Sequence, residues 1–249
     1  MSKQGGLGDR LLVDGHNLSG DTNSPALSCP QGTLPVTGID KGAYERIGAI
    51  RDGQLSWTAF FNPDSDDTDA AHGVLSALPT ADVHCMYLHT VTLGRPAACL
   101  VAKQIGYDGT RGNDGSFTFA LQAQANAYGL EWGDQATPGI RTDTEATDGD
   151  SIDGGASTAH GLQAYLQVLS ITGTSVTVTL EESSDDGATD EWAAVTGGAF
   201  TAATGTGAQR IQTARDQTVE RHLRVSTSGT FTEAVFAVMI ARNPVAVTF

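Results

Sequence analysis

The chain has 249 residues, enough for one large or two small hydrophobic cores, so an intrinsically disordered chain and a lone mini-protein are both excluded. Its 14 Lys and Arg stand against 29 Asp and Glu, which gives a formal net charge of −15. Nucleic acid and anionic lipid are excluded as main partners, because a surface this negative repels phosphate groups.

The composition favours β-structure. Charged residues are few, while the 30 glycines, together with Thr, Ser and Ala, suit turns and sheets with small side chains. Cys29, Cys85 and Cys99 lie too far apart to suggest a disulfide framework. Residues 1–8 contain no apolar signal segment, and no run approaches about 18 apolar residues. We therefore expect a protein that is made in a cytoplasm and has no membrane partner.

The first predicted elements are irregular. Residues 1–8 form a Gly-rich N-terminal tail. Residues 23–53 are predicted to be a long loop because they are too loosely patterned for a compact domain. Residues 68–78 are predicted to form the one credible helix, since acidic and capping residues come before an apolar stripe that stops at Pro79.

Apolar and polar residues alternate with a period of two along most of the chain. Residues 55–61, 117–128 and 176–180 show this pattern, which is typical of strands with one buried face. Residues 97–105 and 231–241 are apolar on both faces and are predicted to be central strands covered from two sides. The chain is therefore predicted to be mainly β.

An acidic, Gly-rich segment without apolar periodicity spans residues 134–160 and is predicted to be a linker or a long exposed loop. It divides the chain into a β-sandwich domain of residues 1–133 with one short helix and a second antiparallel β-sandwich domain of residues 161–249. Residues 148–154, rich in Asp and Gly, could bind calcium, although a disordered acidic linker is the favoured interpretation.

No constellation of catalytic residues stands out. The chain has no Gly-x-Ser-x-Gly motif, and its Gly-rich residues 109–115 open no helix, so they indicate a hairpin turn rather than a phosphate site. We predict a protein that is not an enzyme and has neither a cofactor nor a metal site.

Two further clusters have a structural and a functional interpretation. Tyr165, Trp132, Trp192 and Phe200 could form a platform for sugars, but aromatic residues are scarce and these are expected in the core. Four arginines lie within fifteen residues, interleaved with Asp216 and Glu220, and are predicted to form salt bridges across a subunit or domain contact. These arginines are Arg210, Arg215, Arg221 and Arg224.

The order of several segments resembles that of a known family. Residues 11–21, 34–40 and 51–62 resemble the opening of the major tail tube proteins of long-tailed bacteriophages. Residues 162–249 are similar to the additional C-terminal β-domain that some of these proteins carry. The resemblance implies a tail-tube β-sandwich in residues 1–133, and subunits that form six-fold rings around a shared inner β-barrel.

The resemblance also implies partners and a location. The rings would stack into a tube around the tape-measure protein in the virion tail, other tail proteins would bind the tube ends, and phage DNA would pass without specific binding. The candidate lumen-facing residues are Thr118, Gln122, Gln124 and Asn126. The candidate ring-stacking residues in the long loop are Asp40, Lys41, Glu45, Arg46 and Arg51.

An alternative interpretation has the same β-sandwich fold but a different function, the binding of carbohydrate. A capsid-decorating or adhesin-like module would bind carbohydrate, and Trp192 would then be the first aromatic residue to test. Small, uncharged side chains along residues 117–128 instead favour a lumen wall along which DNA can slide.

Overall fold

The structure is a computed structural model that describes residues 4–246. The described chain is mainly β, with a single short α-helix, α1 (Ala71–Leu75), and a 3-10 turn at Leu18–Gly20. The strands of the first half are β1 (Arg10–Val13), β2 (His16–Asn17), β3 (Thr22–Ser28), β4 (Gln31–Pro35), β5 (Arg46–Arg51), β6 (Gln54–Phe60), β7 (Val83–Leu88), β8 (Pro96–Arg111) and β9 (Phe117–Ala125). The remaining strands are β10 (Glu131–Gln135), β11 (Arg141–Asp143), β12 (Ile152–Asp153), β13 (Leu162–Ser183), β14 (Ala193–Ala199), β15 (Gly207–Gln212) and β16 (His222–Arg242).

Fourteen of these strands form one continuous sheet, and β4 and β5 form a separate two-stranded sheet. The main path runs β14-β13-β16-β10-β8-β7-β1-β2, and a branch runs from β8 through β9 and β6 to β3. All the pairings are antiparallel. The prediction of a mainly β protein with one short helix is confirmed.

The first half folds around the long strand β8. Its first part pairs with β7, its second part pairs with β9, and the register shifts between Gln104 and Gly106 where the two parts meet. The sheet closes over a core that includes Leu11, Trp57 and Leu121. Alternation explains this packing, because every second residue of β6 and β9, namely Leu55, Trp57, Ala59, Phe119, Leu121 and Ala123, faces inward. The predicted helix over 68–78 is shorter in the structure, where Leu78 has a positive φ of 44°.

The second half is built on the pairing of β13 with β16, which continues over nearly the whole length of both strands. The register shifts near Gly173, where the two strands bend together. Their inward residues form a second core around Leu166, Leu180 and Phe236. Of the two segments predicted to be buried on both faces, residues 97–102 and 236–241 are buried, whereas Ile105 is 54% exposed and residues 232 and 233 are exposed.

The two halves share a third core. Leu12, Met86 and Cys99 of the first half pack with Tyr165 and Met239 of the second, and all five are fully buried. The turn between β1 and β2 also meets the second half. Gly15 has a φ of +84°, and a Cβ there would lie 2.4 Å from the backbone oxygen of Val168. The halves are therefore firmly docked.

Residues 134–160 differ from the exposed linker expected from their composition. Three strands in or next to this segment, β10, β11 and β12, pair with β16. Asp143 is buried and forms a bidentate ion pair with Arg141, at 2.7 and 2.8 Å. The segment packs because arginines neutralise its carboxylates and β16 provides an edge to which its backbone can add.

Residues 23–53 are also more regular than the long loop expected. Their first residues continue β3, which pairs with β6, and β4 and β5 form a hairpin. Nearly every residue of β4 and β5 is exposed, so this hairpin does not pack on the body of the protein. We call residues 31–51 the arm.

Candidate assembly interface

A four-stranded antiparallel sheet with two open edges lies on one side of the first half. Its order is β3-β6-β9-β8, where β8 contributes residues 104–111. Within residues 4–246, β3 pairs only with β6, and this part of β8 pairs only with β9. Open edges present unpaired N–H and C=O groups that a strand of another chain can bind.

The direction of the strands allows identical copies to continue this sheet. Four antiparallel strands alternate in direction, so β3 and β8 at the two edges run in opposite directions. When two copies with the same orientation stand side by side, β8 of one copy is antiparallel to β3 of the next. The sheet can therefore extend head to tail around a closed ring with antiparallel pairing throughout.

One face of this sheet is covered by the core, and the other is polar. The outward positions of β6 and β9 carry mostly small or amide side chains, namely Gln54, Ser56, Thr58, Thr118, Ala120, Gln122 and Gln124. Phe60 at the end of β6 is the exception, with a side chain that is 48% exposed. Two charged residues of β8, Lys103 and Asp108, pair with outward positions of β9 and have opposite signs, whereas Arg111 pairs with Phe117. The face therefore has little net charge.

The four candidate lumen residues lie on or next to this face. Thr118, Gln122 and Gln124 point away from the core, since Phe119, Leu121 and Ala123 occupy the buried positions between them. Gln124 donates to the carboxylate of Asp52 at 2.8 Å. Asn126 follows the end of β9, where its amide donates to Asp82 at 2.8 Å.

The five candidate ring-stacking residues all lie on the arm. Asp40, Lys41 and Glu45 are near its tip, where Lys41 Nζ is 3.6 Å from Asp40 and 3.8 Å from Glu45. Arg46 and Arg51 are the first and last residues of β5. The arm also exposes apolar side chains, namely Leu34, Val36, Ile39, Tyr44, Ile47 and Ile50. A hairpin that leaves this many apolar groups in solvent is typical of an interaction surface.

Arg210 joins the two halves of the chain. Its guanidinium pairs with Glu131 at 3.0 Å and lies 3.7 Å from the centre of the Tyr128 ring. The hydroxyl of Tyr165 donates to the same Glu131 carboxylate. Burial, followed by the charge of Glu131, raises the pKa of Tyr165 well above its usual range, so this hydroxyl remains a donor.

The other arginines of the predicted cluster lie on the second half. Arg221 pairs with Asp153 at 2.5 Å, and Arg224 pairs with Asp148 and Glu181 at 2.8 and 2.7 Å. Arg221 and Arg224 therefore tie the acidic segment to β16. Arg215 is exposed.

The aromatic residues considered for sugar binding do not form one platform. Tyr165 and Phe200 are buried, and Trp192 is half-buried with the guanidinium of Arg224 stacked 4.6 Å from its ring centre. Trp132, on β10, is 52% exposed. The guanidinium of Arg224 therefore covers one face of the Trp192 ring.

The described residues offer no metal centre or membrane span. Residues 4–246 contain no group of three or more His, Cys, Asp or Glu side chains placed to hold a metal ion. In the calcium candidate, Asp148 and Asp153 are engaged by Arg224 and Arg221. No helix in the same range is long and apolar enough to cross a membrane.

Sequence reasoning missed three features of this surface. The open edges depend on which strands pair, and the periodicity of a single strand does not reveal its neighbours. The stacking of Arg210 on Tyr128 joins residues far apart in the chain. The third feature is an aromatic cluster around Phe61. The adjacent Phe60 and Phe61 could have indicated it, because two consecutive apolar residues at the end of a strand break the alternation.

Comparisons with known proteins find likenesses of structure alone. No protein-family model matches the chain, and no curated protein matches it significantly. A chain from the virion of a native gene transfer agent (GTA) particle is similar over 52% of this chain and 98% of its own, at 14% identity and a TM-score of 0.38. A chain from the tail of an empty GTA particle with C6 symmetry is similar over 44% of this chain and 80% of its own, at 14% identity and a TM-score of 0.34.

A third solved structure is similar over most of both chains. The Dit protein of phage SPP1, described as a paradigm of the hub adsorption apparatus in phages that infect Gram-positive bacteria, matches 94% of this chain and 99% of its own. The identity is 13% and the TM-score is 0.34. The three similar structures come from virion, tail and adsorption-hub assemblies.

Proposed function

We propose that this chain is a virion structural protein, the major tail tube subunit of a long-tailed bacteriophage. The observation that carries the proposal is the four-stranded sheet with two open edges and a polar face of little net charge. Copies would pair β8 with β3 to form hexameric rings, and the rings would stack into a hollow tube in the tail.

The polar face suits the inner wall of such a tube. Its Gln, Ser and Thr side chains offer few charges to bind phosphate, so DNA could pass without being held. Before ejection, the same wall would surround the tape-measure protein, and other tail proteins would bind the tube ends. The second half, docked through the shared core, would lie on the outside of the tube.

Hydrogen exchange tests the ring contact directly. We expect that concentrating the protein slows exchange of the backbone amides of residues 22–28 and 104–111, because strands from neighbouring copies would pair with them. Strand β14 provides an internal control, since it is the edge strand at the other end of the main sheet and should exchange equally in dilute and concentrated samples. Assemblies that leave both open edges unprotected would contradict the proposed ring.

A further inference from the structure

The four-stranded sheet has two chemically different ends. The arm joins it at the end marked by Ser28 and Gln54, which pair with each other. At the opposite end, Phe60 pairs with Thr118, and the N–H of Phe61 donates to the backbone oxygen of Phe117 at 3.1 Å. The two ends therefore point in opposite directions along the strands.

The end opposite the arm carries an aromatic cluster, here called the aromatic end. It consists of Phe61, His72, Tyr107, Phe117 and Phe119. Tyr107 stacks on Phe119 with ring centres 4.1 Å apart, and Phe61 and Phe117 lie 5.0 Å apart. Phe61 and Phe117 are each 38% exposed. The cluster is therefore held in place by its inner members and presents apolar edges to solvent.

The charges at the two ends are opposite. The arm has three basic and two acidic residues, so it is net positive in a chain of net charge −15. Residues 61–72 beside the aromatic end contain four aspartates and no Lys or Arg. Arg111, which pairs with Phe117, is flanked by Asp108 and Asp114, so this end as a whole is acidic. Asp64, Asp66 and Asp67 are exposed there. Such complementarity favours one orientation of contact and opposes contact between like ends.

We propose that the arm of one copy docks on the aromatic end of a second copy in the next ring. This inference rests on the proposed function and names the surface that receives the arm. Ile39, Tyr44 and Ile47 would cover the exposed edges of Phe61 and Phe117, while Lys41 and Arg46 would face Asp64 and Asp66. Because the two surfaces lie at opposite ends of the four-stranded sheet, the contact is heterologous and repeats without closing, as a stack of rings requires.

The reach of the arm fits this role. The strands of the hairpin have five and six residues, and at about 3.3 Å per residue they extend roughly 20 Å from the sheet. Nearly all of this length is exposed, so the arm is available to a second copy.

Charge reversal tests the pairing. The first variant carries Lys41→Glu and Arg46→Glu, the second carries Asp64→Lys and Asp66→Lys, and the third combines all four changes. Electron microscopy and sedimentation would measure rings and stacked tubes, after the melting transition of each variant has shown that it is folded. We expect each reversal alone to reduce the fraction of protein in tubes at least tenfold while rings persist, and the combined variant to recover most of it.

A matched control separates local charge from net charge. Arg95→Glu with Thr174→Glu and Thr204→Glu changes the net charge by as much as the arm reversal, at exposed positions outside both surfaces, and is expected to leave the tubes intact. Tubes that persist after arm reversal, or a combined variant that still fails to stack, would overturn this inference. Neither outcome would contradict the proposed rings, which form through a different contact. If the unmodified chain forms no rings, the proposed function itself fails, and this inference fails with it.

Discussion

The arm and the acidic segment 134–160 both lack apolar periodicity in the sequence, yet they have opposite structures. The arm is a hairpin whose side chains are nearly all exposed. The acidic segment lies against β16 and is held by ion pairs to Arg141, Arg221 and Arg224. The two segments differ in the contacts that their own chain offers. Arginines of the same chain neutralise the carboxylates of the acidic segment, whereas the apolar side chains of the arm remain exposed to solvent.

The largest effect is expected from removing the central cation of the acidic segment. Arg141→Met leaves the buried carboxylate of Asp143 with Thr227 as its remaining side-chain donor, and should lower the free energy of unfolding by about 3 kcal/mol. Denaturant unfolding measures this loss. The same substitution in the arm, Arg46→Met, should change stability by no more than about 0.5 kcal/mol. Equal losses in the two variants would contradict the contrast between the regions.

A smaller effect is expected from adding one methyl group. In Gly149→Ala the new Cβ would lie 2.1 Å from Nη1 of Arg141 and 3.0 Å from the backbone oxygen of Val225. Displacing this guanidinium from Asp143 should cost about 1–2 kcal/mol of folding free energy in denaturant titrations. Gly42→Ala in the arm is the control, since nothing lies within 4 Å of its Cβ position. A Gly149→Ala variant as stable as Gly42→Ala would show that the segment is loosely packed.

The smallest effect is expected at the surface and depends on pH. The hydrogen bonds from Arg221 and Gly155 hold the pKa of Asp153 well below its usual range. A lowered pKa in the folded state adds stability above the unfolded value of about 3.9, and this contribution is lost as the pH falls further. Asp153→Asn should therefore be less stable than the unmodified chain at pH 6, and the difference should shrink below about pH 4.

Thermal unfolding at a series of pH values measures this difference. Asp40→Asn in the arm changes the same formal charge and should follow the profile of the unmodified chain throughout. If the difference caused by Asp153→Asn stays constant from pH 6 to pH 2, the ion pair with Arg221 does not stabilise the fold.

The strands were predictable from the sequence wherever one face is buried. Phe119, Leu121 and Ala123 alternate with polar residues, and the structure buries them as that alternation predicts. The acidic segment was not predictable in this way, because two of the arginines that hold it lie far away along the chain, as in the hydrogen bond from Arg224 to Asp148, 76 positions apart. Sequence periodicity reports on local burial and contains no information about distant ion pairs.

The candidate site was predictable only in part. The alternation of apolar and polar residues in β9 predicts its polar face. The arm lacks the apolar periodicity of a strand that packs on a core, and this predicts that it is exposed. The open edges and the opposite ends of the sheet come from the order β3-β6-β9-β8, which brings together strands separated by more than 50 residues. Register and neighbour are properties of the assembled sheet, so they appear only in the structure.

Electron microscopy of the purified, concentrated chain shows whether it assembles into rings. We expect rings with a hollow centre that stack end to end into tubes as the concentration rises. Monomers or dimers without any ring, at every salt and protein concentration, would contradict the proposed assembly.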